Sequence, residues 1–425
     1  MRMTARCRPI HRSLGLLHLT KHSASSLQLL SSRRMSSMKM MSSTSNSRQG
    51  RIWTHRPFEI KPSTTTTSTN PSITYCPLPT KTPTPQLDNR VHYVTQTAGA
   101  LALEQMCQSK QEFYKTQFSS RVTREDADGR IRKRTLPSST SSREVDVTIY
   151  LPNSNKPNTK LHGICLHVHG GGWIWGDSQY QVAHRCLEMT ETLNVAVVSV
   201  EYSLTSTVNT DNDGQIYDPV DQVGTTIDWI ENTGAGELNT NLCYVASGES
   251  SGAQLLLLSL LKRRDRPSDG MHLPSTWKAL NLVYGFYDLS GTPSVRNDGN
   301  LSSPMCGNEL LCMAELYYAK LQGKKKIDRQ HPSISPLYAN LSNMPPALIT
   351  VGTADPLLDD SLLLASRYCV CGNDVETVLY EGGEHGLGHF GLQEDDEMGK
   401  RAREYTLQFM KRYLEHDTIH NMNIV

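Results

Sequence analysis

The first 58 residues contain no aspartate or glutamate, although they include eleven lysines and arginines and many serines. A basic, serine-rich and acid-free N-terminus is typical of an organelle transit peptide. This composition fits a mitochondrial and a plastid address equally well. A disordered basic tail, or translation from a later methionine, would have the same composition. We expect location in an organelle, with a cytoplasmic location as the alternative.

The chain is also poor in apolar residues, at 37% hydrophobic and 7% aromatic. Part of this deficit lies in residues 61–86, which read KPSTTTTSTNPSITYCPLPTKTPTPQ. A tract of threonine, proline and serine cannot bury enough apolar surface to offset its conformational entropy. We therefore predict that residues 1–87 form a disordered leader and linker, outside the folded domain.

No apolar run reaches the roughly 18–20 residues that a membrane-spanning helix needs, so the sequence predicts no transmembrane segment. The ten cysteines are scattered along the chain. Cys369 and Cys371 are too close together to form a zinc knuckle pair. We expect free thiols in a reducing compartment and no metal site. We also expect no nucleic-acid partner, and the sequence leaves the oligomeric state open.

From residue 144 onward, short β-rich runs alternate with helical stretches. Most of these runs are almost continuously apolar, as expected for strands that are covered on both faces. The alternation predicts an α/β fold with a mostly parallel central sheet and helices on both faces, over residues 144–416. Residues 88–143 are polar with one amphipathic helical stretch, and we predict a helical N-terminal cap there. Residues 285–338 interrupt the alternation and form a candidate cap insertion.

The segment Gly248-Glu249-Ser250-Ser251-Gly252 follows an apolar run and precedes a helical one. This G-x-S-x-G pattern is typical of a nucleophile elbow, in which small flanking residues allow a strained turn between strand and helix. Because the pattern centres on Ser250, we predict that Ser250 is the nucleophile. Ser251 would then contribute its backbone N–H, at the start of the helix, to a developing oxyanion.

A serine hydroxyl needs a base, and the base needs an orienting acid. On a sheet of this kind both must follow later strands. Asp355 follows the run Ala347–Val351 and His385 follows the run Val375–Tyr380, so we predict these two as the acid and the base. The alternatives for the acid are Asp288, Asp359 and Asp360, and the alternative for the base is His389.

Three consecutive glycines, Gly170, Gly171 and Gly172, follow His169 at the end of an apolar run. Three consecutive glycines lose more conformational entropy on folding than other residues would, so we expect them only where the backbone conformation requires glycine. A flexible surface turn is one interpretation. The placement between a buried strand and two tryptophans favours an oxyanion hole, in which backbone N–H groups approach the tetrahedral intermediate. His169 is predicted to support this loop and not to act in catalysis.

These motifs, in this order, resemble the hormone-sensitive-lipase-like branch of the α/β-hydrolases, a family of HGGG-motif carboxylesterases. The resemblance covers about Val145 to Leu414, and it includes the stretch HPSISPLYANLSNMPPALITVGTADPLLDD. It implies an α/β-hydrolase fold, with Gly171, Gly172 and Ser251 as the oxyanion donors. The chain departs from the family after Glu201, where Tyr-Ser-Leu-Thr-Ser-Thr replaces the usual Tyr-Arg-Leu-Ala-Pro-Glu.

The sequence thus predicts a carboxylesterase that cleaves esters of short or medium acyl chains through an acyl-enzyme. Ser250, His385 and Asp355 would act without a metal or organic cofactor. Two alternatives stay open. The same machinery can cleave activated amides such as aryl formamides. Plant hormone receptors share this fold and bind small molecules without turnover, but they lack the histidine that His385 supplies here.

Overall fold

The computed structural model describes residues 52–55, 97–137, 144–153, 160–205, 219–266, 273–296, 305–322, 327–386 and 397–422. Most of the predicted leader, the Thr/Pro-rich tract and His389 lie outside these ranges. None of the described helices is both long and apolar enough to cross a membrane.

Nine strands form one sheet in the described part of the chain, in the spatial order β1-β9-β8-β7-β6-β4-β5-β3-β2. The strands are β1 Ile52–His55, β2 Ile131–Leu136, β3 Val145–Tyr150, β4 Ile164–Val168, β5 Ala196–Glu201, β6 Tyr244–Glu249, β7 Trp277–Val283, β8 Ala347–Gly352 and β9 Val375–Tyr380. The neighbours from β5 through β4, β6, β7 and β8 to β9 pair in parallel, whereas β1, β2 and β3 pair antiparallel. The predicted α/β sheet is therefore present and mostly parallel.

Helices connect the parallel strands, as the alternating sequence pattern predicts. The α-helices of the described ranges are α1 Thr97–Ala127, α2 Ala183–Leu193, α3 Pro219–Trp229, α4 Ala235–Glu237, α5 Ser251–Arg264, α6 Pro293–Arg296, α7 Gly307–Gln322, α8 Leu358–Val370 and α9 Glu397–Met422. Of these, α1 precedes β2 and α9 follows β9. A π-helical turn, Ile230–Gly234, joins α3 to α4.

The core lies on both faces of the sheet. On one face, leucines of α5 pack with alternate residues of the central strands, such as Leu166 and Ala246. On the other face, α2 and α9 cover the intervening residues, such as Cys165 and Val245. Because every residue of β4 is buried, its sequence has no polar face, and this explains its almost continuous apolar pattern.

Two strands lie outside the predicted catalytic domain. Ile52–His55 pairs antiparallel with β9, so the prediction of a disordered leader is wrong at these four residues. Ile131–Leu136 pairs with β3 inside the predicted cap, so the sheet begins before residue 144. The sequence of this strand, IRKRTL, has four polar residues with partial or full exposure between two buried ends. Such an edge strand carries a weak apolar signal.

Candidate active site

Ser250 lies at the junction between β6 and α5, where its backbone has a φ of 50° and a ψ of −121°. A residue with a side chain adopts a positive φ only when its surroundings hold it there. Hydrogen bonds fix the turn: the N–H of Ser250 donates to the carbonyl of Val283 at 2.9 Å, and its own carbonyl accepts from Ala253 at 3.1 Å. The predicted strand–turn–helix context of the serine is therefore present.

The two glycines of the elbow allow its close packing. A Cβ on Gly252 would lie 2.2 Å from the carbonyl oxygens of Val168 and His169. A Cβ on Gly248 would lie 2.7 Å from the Cα of Ala253. Real side chains do not tolerate contacts of this kind with backbone, so the G-x-S-x-G spacing follows from the geometry of the turn.

The structure brings Ser250, His385 and Asp355 together, although they are far apart in the sequence. The Oγ of Ser250 lies 3.1 Å from Nε2 of His385, and Nδ1 of the same ring lies 3.0 Å from each carboxylate oxygen of Asp355. An N–H at Nδ1 can only donate to the carboxylate, which leaves Nε2 free to accept the serine proton. All three side chains are buried, which protects these hydrogen bonds from competition with bulk water.

Asp355 lies in the turn that follows the end of β8 at Gly352. Its carboxylate also accepts a hydrogen bond from the N–H of Leu357 at 2.8 Å. On the other side of the site, the ring of Tyr284 contacts that of His385, with centroids 4.8 Å apart. These contacts hold the Asp355 carboxylate and the His385 ring in place without a bound substrate, as general-base catalysis by this pair would require.

The alternative acids have other partners. Asp359 accepts a hydrogen bond from the N–H of Ser294 at 2.8 Å. Asp360 accepts from the N–H groups of Tyr287 and Asp288, at 2.7 and 2.9 Å. Asp288 itself accepts from the hydroxyl of Tyr338 at 2.9 Å. Of the four carboxylates considered, Asp355 is the one within hydrogen-bond distance of the His385 ring. The alternative base, His389, lies outside the described residues.

The glycine loop after β4 lies against the elbow. A Cβ on Gly170 would lie 3.2 Å from the Cβ of Ser250. Gly171 and Gly172 have φ values of 123° and 60°, in the region that favours glycine. No backbone acceptor in the described part of the chain takes a hydrogen bond from the N–H of Gly171, Gly172 or Ser251. The three predicted oxyanion donors thus lie on the two segments that meet at the serine, with their N–H groups not engaged by the backbone.

His169 is fully buried behind this loop. Its Nδ1 lies 2.8 Å from the carbonyl oxygen of Gly170. Its ring stacks on that of Tyr202, with centroids 4.2 Å apart and planes 15° from parallel. The hydroxyl of Tyr202 donates to the carbonyl of His169 at 2.9 Å. Because burial lowers the pKa of His169, the ring is held neutral, which suits a residue that supports the loop.

The tryptophan after the glycines connects the loop to α5 and α7. The indole N–H of Trp173 donates to Oε1 of Gln254 at 3.0 Å. Its ring stacks on Tyr317 of α7, with centroids 4.7 Å apart and planes 4° from parallel, and contacts the edge of Phe286. Met313, one turn before Tyr317, is so close to Gly172 that a Cβ there would lie 2.2 Å from its sulfur. The predicted cap insertion therefore contributes an apolar wall beside the glycine loop.

Sequence reasoning missed the contributions of Tyr202, Gln254, Met313 and Tyr317. The contacts of these residues join segments that are distant in the sequence, and no short motif marks them. One local signal existed: Met313 and Tyr317 are four residues apart in GNELLCMAELYYAKLQ, the spacing of one helix face. Within the described ranges, no group of three or more His, Cys, Asp or Glu side chains is arranged to hold a metal ion.

Comparison with solved structures gives the same fold. An esterase from Pyrobaculum calidifontis matches with a TM-score of 0.57 at 24% identity, over 72% of this chain and 92% of that chain. The carboxylesterase EstE1, cloned from a metagenomic library, matches with a TM-score of 0.58 at 21% identity, over 72% and 97%. Carboxyl esterase 2 from the fungus Tuber melanosporum matches with a TM-score of 0.57 at 21% identity, over 67% and 87%.

A comparison with models of protein families identifies the family of this chain more directly. The family model described as alpha/beta hydrolase fold matches residues 165–389, which is just over half of the chain. This match includes the glycine loop, the elbow, Asp355 and His385, so it covers every part of the site described above. The fold predicted from the sequence is confirmed, and the chain belongs to the α/β-hydrolase family.

Proposed function

We propose that the protein is a serine carboxylesterase that works through an acyl-enzyme. The observation that supports this most is the continuous series of contacts from the Ser250 hydroxyl through the His385 ring to the Asp355 carboxylate. The order of the three residues along the chain is that of α/β-hydrolases. The solved esterases with the same fold are consistent with an ester substrate.

The first half of the reaction transfers the acyl group to the enzyme. The Oγ of Ser250 attacks the ester carbonyl while Nε2 of His385 takes its proton. The negative charge of Asp355 stabilises the imidazolium through Nδ1–H. The N–H groups of Gly171, Gly172 and Ser251 stabilise the oxyanion, and the loss of one such donor typically lowers the rate by about 10² to 10³. The intermediate collapses, His385 returns the proton to the leaving alkoxide, and an alcohol departs.

The second half of the reaction releases the acid. Nε2 of His385 removes a proton from a water molecule, whose oxygen attacks the acyl carbonyl. The same three N–H groups stabilise the second oxyanion. When the intermediate collapses, His385 protonates Oγ and Ser250 is regenerated, so protons and electrons balance with no metal or organic cofactor.

We further propose a preference for short or medium acyl chains. The glycine loop borders a wall of Trp173, Phe286, Met313 and Tyr317, which are all buried and already packed against one another. Burial of each CH₂ of a substrate on an apolar wall stabilises the complex by about 0.8 kcal/mol until the space is filled. We therefore expect kcat/KM to rise from acetate to about hexanoate and then to fall.

Hydrolysis of nitrophenyl esters from acetate to palmitate by the full-length chain tests this proposal, with Ser250→Ala as the inactive control. Turnover of palmitate esters or emulsified triglyceride equal to that of hexanoate would contradict the chain-length preference. Faster cleavage of aryl formamides than of any ester would assign the same site to an amidase. Tight binding of a small ester without turnover would favour a receptor.

A further inference from the structure

A row of buried polar side chains crosses the sheet on the face that α2 and α9 cover. His167 of β4 lies in register with Ser199 of β5 and with Ser247 of β6, which in turn lies in register with Asn281 of β7. All four side chains are fully buried. Polar groups are expensive to bury, and they remain in cores when a specific contact compensates for the lost hydration. The described mechanism uses none of these four residues.

The row extends toward the active site through Glu249, the residue immediately before Ser250. Oε1 of Glu249 lies 3.2 Å from Nε2 of His167, a contact of ion-pair length without the alignment of a hydrogen bond. The Glu249 side chain is 6% exposed and that of His167 is not exposed at all. A carboxylate buried in this way is tolerated only next to groups that compensate for its lost hydration, and the His167 ring is one such group.

The two residues lie on the two strands that continue into the catalytic loops. Glu249 ends β6 and is followed at once by the elbow, whereas His167 is two residues before His169, which supports the glycine loop. The contact between them therefore joins the strand that presents the nucleophile to the strand that presents two of the oxyanion donors. The backbones of the two segments also pack closely here, since a Cβ on Gly252 would lie 2.2 Å from the carbonyl oxygens of Val168 and His169.

We propose that Glu249 and His167 are positioning residues that set the distance between the nucleophile and the oxyanion donors. This inference rests on the proposed function. The strained φ of Ser250 makes the support necessary, because strained turns persist only where their surroundings over-determine them. Neither side chain touches the reacting atoms in this arrangement. Both act through the backbone segments that follow them.

A positioning role predicts a specific kinetic signature. The oxyanion donors bind the transition state more tightly than the substrate, so a displacement of the two loops should lower kcat more than it raises KM. A misplacement of about 1 Å can cost about 10² in rate. We expect Glu249→Leu and His167→Leu each to lower kcat by about 10- to 100-fold, with KM changed by less than about threefold.

The test uses the full-length chain, nitrophenyl butyrate and a fluorophosphonate titration that counts competent sites. Glu249→Gln keeps an oxygen that can face His167, so it should restore most of the activity that Glu249→Leu loses. The double variant Glu249→Leu/His167→Leu should be no slower than the slower single variant, because each of the two substitutions removes the same contact between Glu249 and His167. Asn281→Leu is the matched control: its side chain is equally buried and bonds Ser247 at 3.0 Å, between β6 and β7. It should keep kcat within about threefold.

Glu249→Asp is the variant to use if the leucine variants do not fold. It keeps the charge but shortens the side chain by one methylene, and it should show the same fall in kcat. Unchanged kcat per competent site in Glu249→Asp or Glu249→Leu, or independent multiplicative losses in the double variant, would overturn the positioning role. A wild-type chain with neither ester turnover nor fluorophosphonate labelling would overturn the proposed function and this inference with it.

Discussion

At the scale of single residues, the elbow holds two adjacent serines in different surroundings. Ser250 has the strained backbone, and its hydroxyl lies within hydrogen-bond distance of His385. Ser251 begins α5, and its side chain is fully buried beneath the turn. The proposed contribution of Ser251 is therefore its backbone N–H, which any amino acid other than proline provides.

This difference predicts contrasting effects of two alanine substitutions. Ser250→Ala removes the attacking oxygen and should lower kcat by about 10⁴ or more, since loss of a nucleophile removes the whole covalent pathway. Ser251→Ala keeps the N–H and should retain activity within about tenfold. Steady-state kinetics on nitrophenyl butyrate, with circular dichroism to confirm folding, measures both. The account is wrong if Ser251→Ala is the more damaging change.

Sequence reasoning could name these candidate residues because each of them belongs to a local motif or follows a recognisable strand in a fixed chain order. The elbow and the glycine loop are each contiguous, and Asp355 and His385 each follow a strand that is recognisable by its apolar run. Gln254 and Tyr317 were beyond reach for a physical reason. Their partner Trp173 is 81 and 144 positions away along the chain, and such pairings depend on how the helices pack against the sheet.

At the scale of elements, α8 and the loop after β7 are joined by one buried carboxyl. Asp360 accepts the N–H groups of Tyr287 and Asp288, and it takes a hydrogen bond from the hydroxyl of Thr292 at 2.5 Å. Burial raises the pKa of Asp360 to about 7, although these hydrogen bonds act in the opposite direction. The carboxyl thus holds the loop after β7, where the predicted cap insertion begins, against the helix that follows Asp355.

The raised pKa predicts a pH dependence of stability. Between about pH 4 and pH 7 the folded chain keeps a proton that the unfolded chain releases, so the free energy of unfolding should fall as pH rises through this window. Asp360→Asn resembles the protonated acid and should remove roughly 1–3 kcal/mol of this fall. Urea denaturation at pH 5 and pH 8 measures the difference between wild type and variant.

Asp359→Asn is the control for that measurement, because Asp359 is the adjacent carboxylate and is only partly buried. It should leave the difference between the two pH values close to that of wild type. An Asp360→Asn variant that loses stability between pH 5 and pH 8 as steeply as wild type would contradict a raised pKa at this carboxyl.

The elements themselves were predictable to different degrees. Strands β4 to β8 are largely buried on both faces, and their apolar runs stand out from their surroundings. The edge strand β2 is largely polar because its middle residues are exposed on both faces, so its pattern resembles that of a loop. The helix α7 lies within an insertion, where the alternation of strand and helix gives no guide. Sequence pattern thus predicts the interior strands of the sheet better than its edge strands and the segments inserted between strands.

At the scale of the whole molecule, the described residues form an α/β-hydrolase. The targeting function of the acid-free N-terminal segment remains a prediction. We propose that residues 1–85 direct the chain to an organelle. A fluorescent fusion of these residues should concentrate in mitochondria or plastids, because its first 58 residues are basic, serine-rich and acid-free, as in organelle transit peptides. A matched fusion in which the eleven lysines and arginines of residues 1–58 are replaced by glutamine should be diffuse. A diffuse signal from the unmodified segment would contradict the proposal.

The central claim is that Ser250, activated by His385 and Asp355, attacks an ester carbonyl. The most direct measurement is to label the full-length chain with a fluorophosphonate and to map the modified peptide by mass spectrometry. The account predicts one modification, on Ser250, and a labelling rate that falls by about 10² or more in His385→Ala, since the hydroxyl then lacks its base. A label on Ser251, or labelling of Ser250 at an unchanged rate in His385→Ala, would contradict it.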